Sequence, residues 1–271
     1  MVSEPEFTIT STRNRHIVEA RKLGQRKHRQ RQNQFLVEGV SLLHMALDAG
    51  ARPVKIFYCQ EQLANAQMGA LIARFRQTEA RILTVSAQVM QALCEREAIE
   101  GIVATFQLLE THPDTLSLPE EALVIVLDRL QDPGNVGTLI RTADAVGVSA
   151  VVLIEPCADP FDPKTVRGSM GSLFNVPLVR VTDLAFFSDL KEAGLRIVGT
   201  RVREGVVWGG GGILKGSVAL ILGNEKRGQS DDVSAYVEAD VTLPIVGKAE
   251  SLNVAVAGGV LMYGWLRENK G

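Results

Sequence analysis

At 271 residues the chain has room for about two domains, and 46% hydrophobic residues beside 22% charged ones exclude a disordered chain. The net charge of −2 does not announce a nucleic-acid partner, so such a partner must be met by local charge. Three widely spaced cysteines (Cys59, Cys94, Cys157), a polar acidic start at Met1–Glu6 and no apolar run near the ~20 residues of a membrane span point to a reduced, cytoplasmic protein with no metal and no membrane contact.

Residues 8–34 carry Arg13, Arg15, Arg21, Lys22, Arg26, Lys27, Arg29 and Arg31 against one acid, Glu19, on a segment with helical apolar spacing (Ile17, Val18, Ala20, Leu23). Clustered cations are the footprint of phosphate binding, because each neutralised phosphate releases counterions. A solvated helix face is the other reading of such a run. A strand and turn at Phe35–Gly39 follow, then a helix over Val40–Asp48 and a strand over Val54–Tyr58. Helix is expected over Gln60–Thr78 and Ala87–Glu95, and strand over Arg81–Val85 and Ile102–Leu108. Alternating strands and helices make a small α/β unit of residues 1–108. The polar, proline-containing stretch 109–121 reads as a linker.

The second unit, 122–271, opens with Leu123–Leu127, a continuous apolar run of the kind buried in parallel sheets. A turn-rich loop leads to a helix over Val136–Val146, with Asn135 placed to cap it. Strands are expected at Ala150–Ile154, Val176–Val181, Arg196–Thr200, Val218–Leu222 and Val241–Leu243. Helices are expected at Lys164–Phe174, Leu184–Ala193, Asp231–Tyr236 and Leu252–Arg267, the last with Ser251 as a candidate cap. The glycine-rich stretch Val202–Gly216 lacks the Gly-Lys-Ser/Thr of a phosphate loop and precedes a strand, so it reads as a surface loop.

Three loops that follow strands, Asp128–Asn135, Leu222–Ser230 and Leu243–Ser251, gather the polar chemistry: Asn135, Asn224, Glu225 and Ser251, with Arg141 and Asn253 just beyond. Ligands of open α/β sheets bind at such strand ends. All four histidines precede this unit, which argues against a Ser-His-Asp hydrolase. Taken singly, Arg141 reads as a surface cation, Glu225 as a partner of Lys226 or Arg227, and the cysteines as small buried apolar residues.

Asn135-Val-Gly137-Thr-Leu-Ile-Arg141, Leu222-Gly223-Asn224-Glu225-Lys-Arg-Gly228 and Leu243-Pro-Ile-Val-Gly247 leading to Ser251-Leu252-Asn253-Val254 resemble, in order and spacing, the three motifs of the SpoU family of RNA ribose 2′-O-methyltransferases, within the SPOUT superfamily. Lys164–Gly171 is similar to the family's intermediate segment, and Phe35-Leu-Val-Glu38-Gly39 to its substrate-binding extension, which resembles RNA-binding ribosomal proteins; Glu100-Gly101-Ile102 departs from the Pro-Gln-Gly of many relatives. The resemblance implies an α/β fold: a parallel-sheet domain with a deep trefoil knot in the carboxyl half, beside a small α/β RNA-binding domain. It implies S-adenosylmethionine as cofactor, held by Thr200, Leu222, Gly223, Asn224, Gly228, Leu243, Ile245, Ser251, Leu252 and Asn253. Catalysis falls to Asn135, Arg141, Glu225, Ser251 and Asn253, and RNA binding to Arg13, Arg15, Arg26, Lys27, Arg29 and Arg31. The implied substrate is structured RNA, rRNA before tRNA, and the implied assembly a homodimer. The alternative is a non-catalytic RNA-binding protein that keeps the fold.

Overall fold

The computed structural model describes residues 8–62, 66–94, 100–203, 205–209, 211–225 and 227–270. Lys226, considered above as a partner of Glu225, lies outside them, as do residues 63–65 of the expected Gln60–Thr78 helix, Glu95 and Gly210. The chain divides into two compact units, the first of residues 1–109 and 161–167, the second of 110–160 and 168–271.

The first unit opens with helices α1 (Arg15–Lys22) and α2 (Arg26–Gln32). One helix was expected across this segment, but the backbone turns between Leu23 and Gln25. Asn14 caps α1, its side chain accepting from His16 N at 2.9 Å. Then come β1 (Gln34–Glu38), α3 (Val40–Asp48), β2 (Pro53–Tyr58), α4 (Ala66–Phe75), β3 (Arg81–Thr84), α5 (Ala87–Leu93) and β4 (Ile102–Gln107). The sheet runs β1-β4-β2-β3, with β4 antiparallel to β1 and β2, and β2 parallel to β3. Ile17, Ala20 and Leu23 of the basic segment pack with Leu36, Phe57, Val89 and Val103 in its core, so the segment turns its apolar side inward and its cations outward.

Arg29 is the exception. It is 2% exposed, and its Nη1 donates to the Leu23 carbonyl at 2.7 Å, satisfying an orphan acceptor at the end of α1. Its Nη2 lies 3.8 Å from Asp162, a residue of the same unit. A guanidinium so enclosed fixes helix to helix and cannot meet an RNA phosphate, which corrects its assignment to the RNA-binding set.

The second unit holds β5 (Leu123–Asp128), α6 (Pro133–Val146), β6 (Ala150–Ile154), β7 (Leu178–Val181), α8 (Phe186–Glu192), β8 (Arg196–Thr200), β9 (Val206–Val207), β10 (Val218–Leu222), α9 (Asp231–Ser234), β11 (Ala239–Thr242) and α10 (Val254–Lys270). The seven strands run β7-β6-β5-β10-β8-β11-β9, and every neighbouring pair is parallel. Each residue of β5, β6 and β10 is buried, as a sheet covered on both faces requires. Leu116 and Leu118, read as linker, pack against the core of this unit.

Helix α7 (Pro163–Gly168) is shorter than the Lys164–Phe174 helix expected. Met170 and Gly171 take φ +50° and +94° and break it before a 3-10 turn at Ser172–Phe174. The expected surface loop 202–216 contributes β9 to the sheet edge, and its far end is anchored. Arg196 Nη2 donates to the Gly212, Ile213 and Lys215 carbonyls, and Trp265 Nε1 to the Gly216 carbonyl at 2.8 Å.

Helices α6 and α10 meet through glycine. A Cβ on Gly258 would fall 2.5 Å from Leu139 Cδ2 and 2.7 Å from Leu222 Cδ1, whereas one on Gly259 meets only Thr142 at 3.8 Å. Gly258→Ala should therefore lower stability by about 1–3 kcal/mol through overpacking. Gly259→Ala should be neutral or stabilising by up to ~1 kcal/mol through helix propensity. Urea midpoints of the two variants measure the difference; equal effects would contradict this packing.

Candidate active site

Because all strands of the second sheet run the same way, the loops after β5, β10 and β11 emerge together at its carboxyl edge. The first motif enters α6. Asp132 caps this helix, its side chain accepting from Asn135 N at 2.9 Å, and Pro133 occupies the first turn, so the helix begins ahead of the expected Val136. Asn135 is thus not the cap, and its amide is free for other partners. Its Nδ2 donates to Glu225 Oε1 at 2.8 Å, and its Oδ1 accepts from Asn253 Nδ2 at 3.0 Å. Asn253, not Ser251, caps α10: its Oδ1 accepts from Ala255 N at 2.9 Å and Val256 N at 3.2 Å. One chain of hydrogen bonds therefore joins the three motifs.

The second motif is a closed ring. Asn224 and Gly228 exchange both backbone hydrogen bonds, at 2.9 and 2.8 Å, with Gly228 at φ +70°. Gly223 has no room for a side chain, since a Cβ there would lie 2.5 Å from Gln229 N and from the Gly228 carbonyl carbon. Asn224 Nδ2 donates to the Arg129 carbonyl at 2.9 Å.

Two cavities share this ring as a wall. The smaller, about 400 Å³, is lined by Thr200, Gly223, Asn224, Glu225, Gly228, Leu243, Ile245, Ser251 and Leu252, all named from the sequence. Arg201, Val202, Arg227, Val241, Val254, Ala257 and Leu261 complete it; Arg227 and Val254 stand inside the quoted motifs, but none of the seven was assigned to the cofactor from the sequence. Leu222 does not line it. That side chain is 1% exposed and lies under α10 against Gly258, because alternate residues of β10 face opposite layers, so it packs in the core and does not face the cavity. Asn253 lines neither cavity and is joined to the larger one through its bond to Asn135. The larger cavity, about 1000 Å³, has the polar residues Arg129, Gln131, Asp132, Asn135, Glu225, Arg227 and Ser230 in its wall.

Arg141 is exposed on the third turn of α6 and lines neither cavity. Among the described residues it has no hydrogen-bonding or ionic partner. Leu252 and the α10 residues Val256, Val260 and Tyr263 are exposed as well, an uncovered apolar stripe at helical spacing. Among the described residues there is no group of three or more His, Cys, Asp or Glu that could hold a metal, and no helix long and apolar enough to cross a membrane.

Electrostatically the floor of the larger cavity is a tight cluster. Arg129 binds Asp232 through Nη1 at 3.0 Å and Nη2 at 2.7 Å, and these bonds hold the Asp232 carboxyl down at about 2. Cys157, beside this cavity, is 5% exposed, and burial together with Glu155 pushes its thiol up to about 12, so it is no nucleophile at neutral pH. The depressed Asp232 pKa gives a sign to acid stability. Its contribution is fully present above the unfolded value near 3.8 and is lost as pH falls through about 2. Asp232→Asn should lower the melting temperature at pH 7, and the gap to wild type should close between about pH 4 and pH 2. A gap that persists at pH 2 would contradict the ion pair as its cause.

Residues 122–263 match the SpoU rRNA Methylase family, and residues 14–104 match the MRM3-like substrate binding domain. The 23S rRNA (guanosine(2553)-2′-O)-methyltransferase RlmP of Bacillus subtilis is 34% identical over 260 residues, 94% of this chain and 97% of that protein. The AdoMet-bound rRNA methyltransferase from Sinorhizobium meliloti superposes with a TM-score of 0.88 at 31% identity, covering 96% of this chain and 97% of the other. The SpoU methyltransferase AviRb from Streptomyces viridochromogenes, in complex with AdoMet, superposes with a TM-score of 0.85 at 29% identity over 94% of this chain and 98% of the other.

Proposed function

Since the chain belongs to the SpoU rRNA methylase family, we propose that it transfers a methyl group from S-adenosylmethionine to a ribose 2′-hydroxyl of structured RNA, ribosomal before transfer RNA. The observation that carries this is the Asn253–Asn135–Glu225 chain, which joins the three motif loops beside a cavity of about 400 Å³. That volume lies within the ~300–1,000 Å³ usual for small-ligand sites. Leu243, Ile245, Leu252 and Leu261 offer an apolar side, and the thin Gly223–Gly228 ring offers backbone polar groups opposite, a donor set suited to an adenine and a methionine chain. When bound, the cofactor would supply an electrophilic methyl on a sulfonium; the C–S bond breaks to leave a neutral thioether as the ribose oxygen bonds to that carbon, and the hydroxyl proton passes to solvent.

The chain's own residues have two tasks. Glu225, on the wall common to both cavities, and Asn135, in the wall of the larger one, orient the ribose, and the larger cavity receives the target nucleotide. In-line displacement demands near-collinear oxygen, carbon and sulfur, so positioning supplies much of the rate. Arg141 stabilises charge on the reacting oxygen or its neighbouring phosphate; a guanidinium is a poor base because it stays protonated. In this assignment a second copy of the chain covers the apolar stripe Val256, Val260 and Tyr263, giving a homodimer around the helix pair that carries Arg141. Gly205 stands at the Asp240 carbonyl and Trp208 on Gly264, and a deep trefoil knot is the assigned topology of this unit. The cytoplasm, where RNA and cofactor meet, is the assigned compartment.

In the first unit, Arg13, Arg15, Lys27 and Arg31 are exposed and Arg26 is half-buried, and this surface is the proposed RNA grip. Neutralising Arg13, Arg15, Lys27 and Arg31 together should weaken RNA binding and flatten its salt dependence by about 0.7–0.9 of slope for each lost phosphate contact. S-adenosylmethionine affinity should not change. An unchanged salt slope would remove this surface from the interface.

The activity is tested with labelled S-adenosylmethionine and unmethylated RNA, followed by nucleoside analysis. Label is expected on ribose 2′-oxygens, and label on bases alone would overturn the assignment. In single turnovers at saturating RNA and cofactor, Arg141→Ala should lose about 10²–10³-fold in rate, and Arg141→Lys should recover little of it. A near-wild-type rate for Arg141→Ala would confine that residue to RNA anchoring.

A further inference from the structure

Arg129 stands at φ +55°, in the left-handed region that L side chains rarely adopt, at the very end of β5. That backbone twist accompanies a double use of the residue. Its carbonyl accepts from Asn224 Nδ2 at 2.9 Å and from Gln131 Nε2 at 3.0 Å. Its guanidinium binds Asp128 Oδ1 at 3.0 Å, both oxygens of Asp232, and the Ser230 hydroxyl. Asp128 is 1% exposed, and its other oxygen accepts from Ser230 N at 2.7 Å and Ser230 Oγ at 2.8 Å. The two ends of the ring segment 223–230 are thus gripped by neighbouring residues of one strand end, Asn224 by the Arg129 backbone and Ser230 by Asp128 and the Arg129 side chain.

Resting on the proposed function, we infer that Arg129 is a positioning residue for cofactor and substrate: it clamps the 223–230 ring that walls both cavities and carries Glu225 to Asn135. Glycine in its place would adopt the left-handed backbone with less strain, so the arginine's contribution lies in its side chain. The guanidinium is suited to the role because its planar fork serves Asp232 with two donors while Nη1 also reaches Asp128 and Ser230; a single ammonium cannot hold this geometry. Asp232 in turn ties α9 into the clamp.

The test uses full-length wild type, Arg129→Gly and Arg129→Lys. S-adenosylmethionine affinity is measured by calorimetry, amide exchange at Gly228, Ser230 and the β10 strand by mass spectrometry or NMR, and unfolding by thermal melts. Arg129→Gly should weaken cofactor binding about tenfold or more, as loss of charged hydrogen bonds implies. It should abolish protection at Gly228 and Ser230, leave Leu220–Leu222 protected and keep the melting temperature within a few degrees. Arg129→Lys should recover part of the affinity and protection. Affinity of Arg129→Gly within twofold of wild type would overturn the inference, as would protection lost equally from Leu220–Leu222, which marks a scaffold role. Failure of the wild type to bind S-adenosylmethionine would overturn the cofactor assignment instead, and the exchange pattern would still decide whether Arg129 orders the ring.

Discussion

The carboxamide of Asn135 is the joint on which the site depends. It connects residues 90 and 118 positions away in sequence, so one side chain closes two long loops. Its orientation is dictated by its neighbours. Asn253 must turn Oδ1 toward the free amides that begin α10, which leaves its Nδ2 to donate to Asn135. Asn135 must therefore accept there and present its own Nδ2 to the Glu225 carboxylate. The chain of bonds has one consistent polarity, from the start of α10 to an anion on the shared wall of the two cavities. That polarity is available because Asp132 relieves Asn135 of helix capping.

The fully parallel sheet makes this joint possible. Strands β5, β8, β10 and β11 all deliver their following segments to one edge, and their buried residues leave the polar loops as the place where chemistry can sit. Glycines then thin the structure where backbones crowd, Gly223 within the ring and Gly258 between α6 and α10. Arg141 and the apolar stripe of α10 remain exposed, and the proposed homodimer rests on these two features.

Much of this was legible in the sequence because it is local. The apolar runs at Leu123 and Val218 gave strands buried at every residue, and the basic segment gave helices with an apolar inner side. The resemblance gathered nine residues of the smaller cavity's lining but not Arg201, Val202, Val241 or Leu261. The departures have physical causes that single positions do not show. Leu222 belongs to a strand whose alternate side chains serve opposite faces, so the side chain of this motif residue packs in the core. Arg29 reads as one more cation until the end of α1 folds onto it. Met170 and Gly171 break a helix that composition alone allowed. The grip of Arg129 and Asp128 on Ser230 and Asp232 spans about a hundred residues and leaves no local pattern beyond a carboxylate closing an apolar run.

The central claim is that three distant loops close on one cofactor cavity. Backbone amide shifts recorded while the protein is titrated with S-adenosylmethionine test it most directly. The account predicts saturable shifts concentrated at Thr200, Gly223, Gly228, Leu243, Ile245 and Leu252, one group from each strand end that lines the smaller cavity. Shifts confined to a single loop, or centred in the first unit, would contradict it.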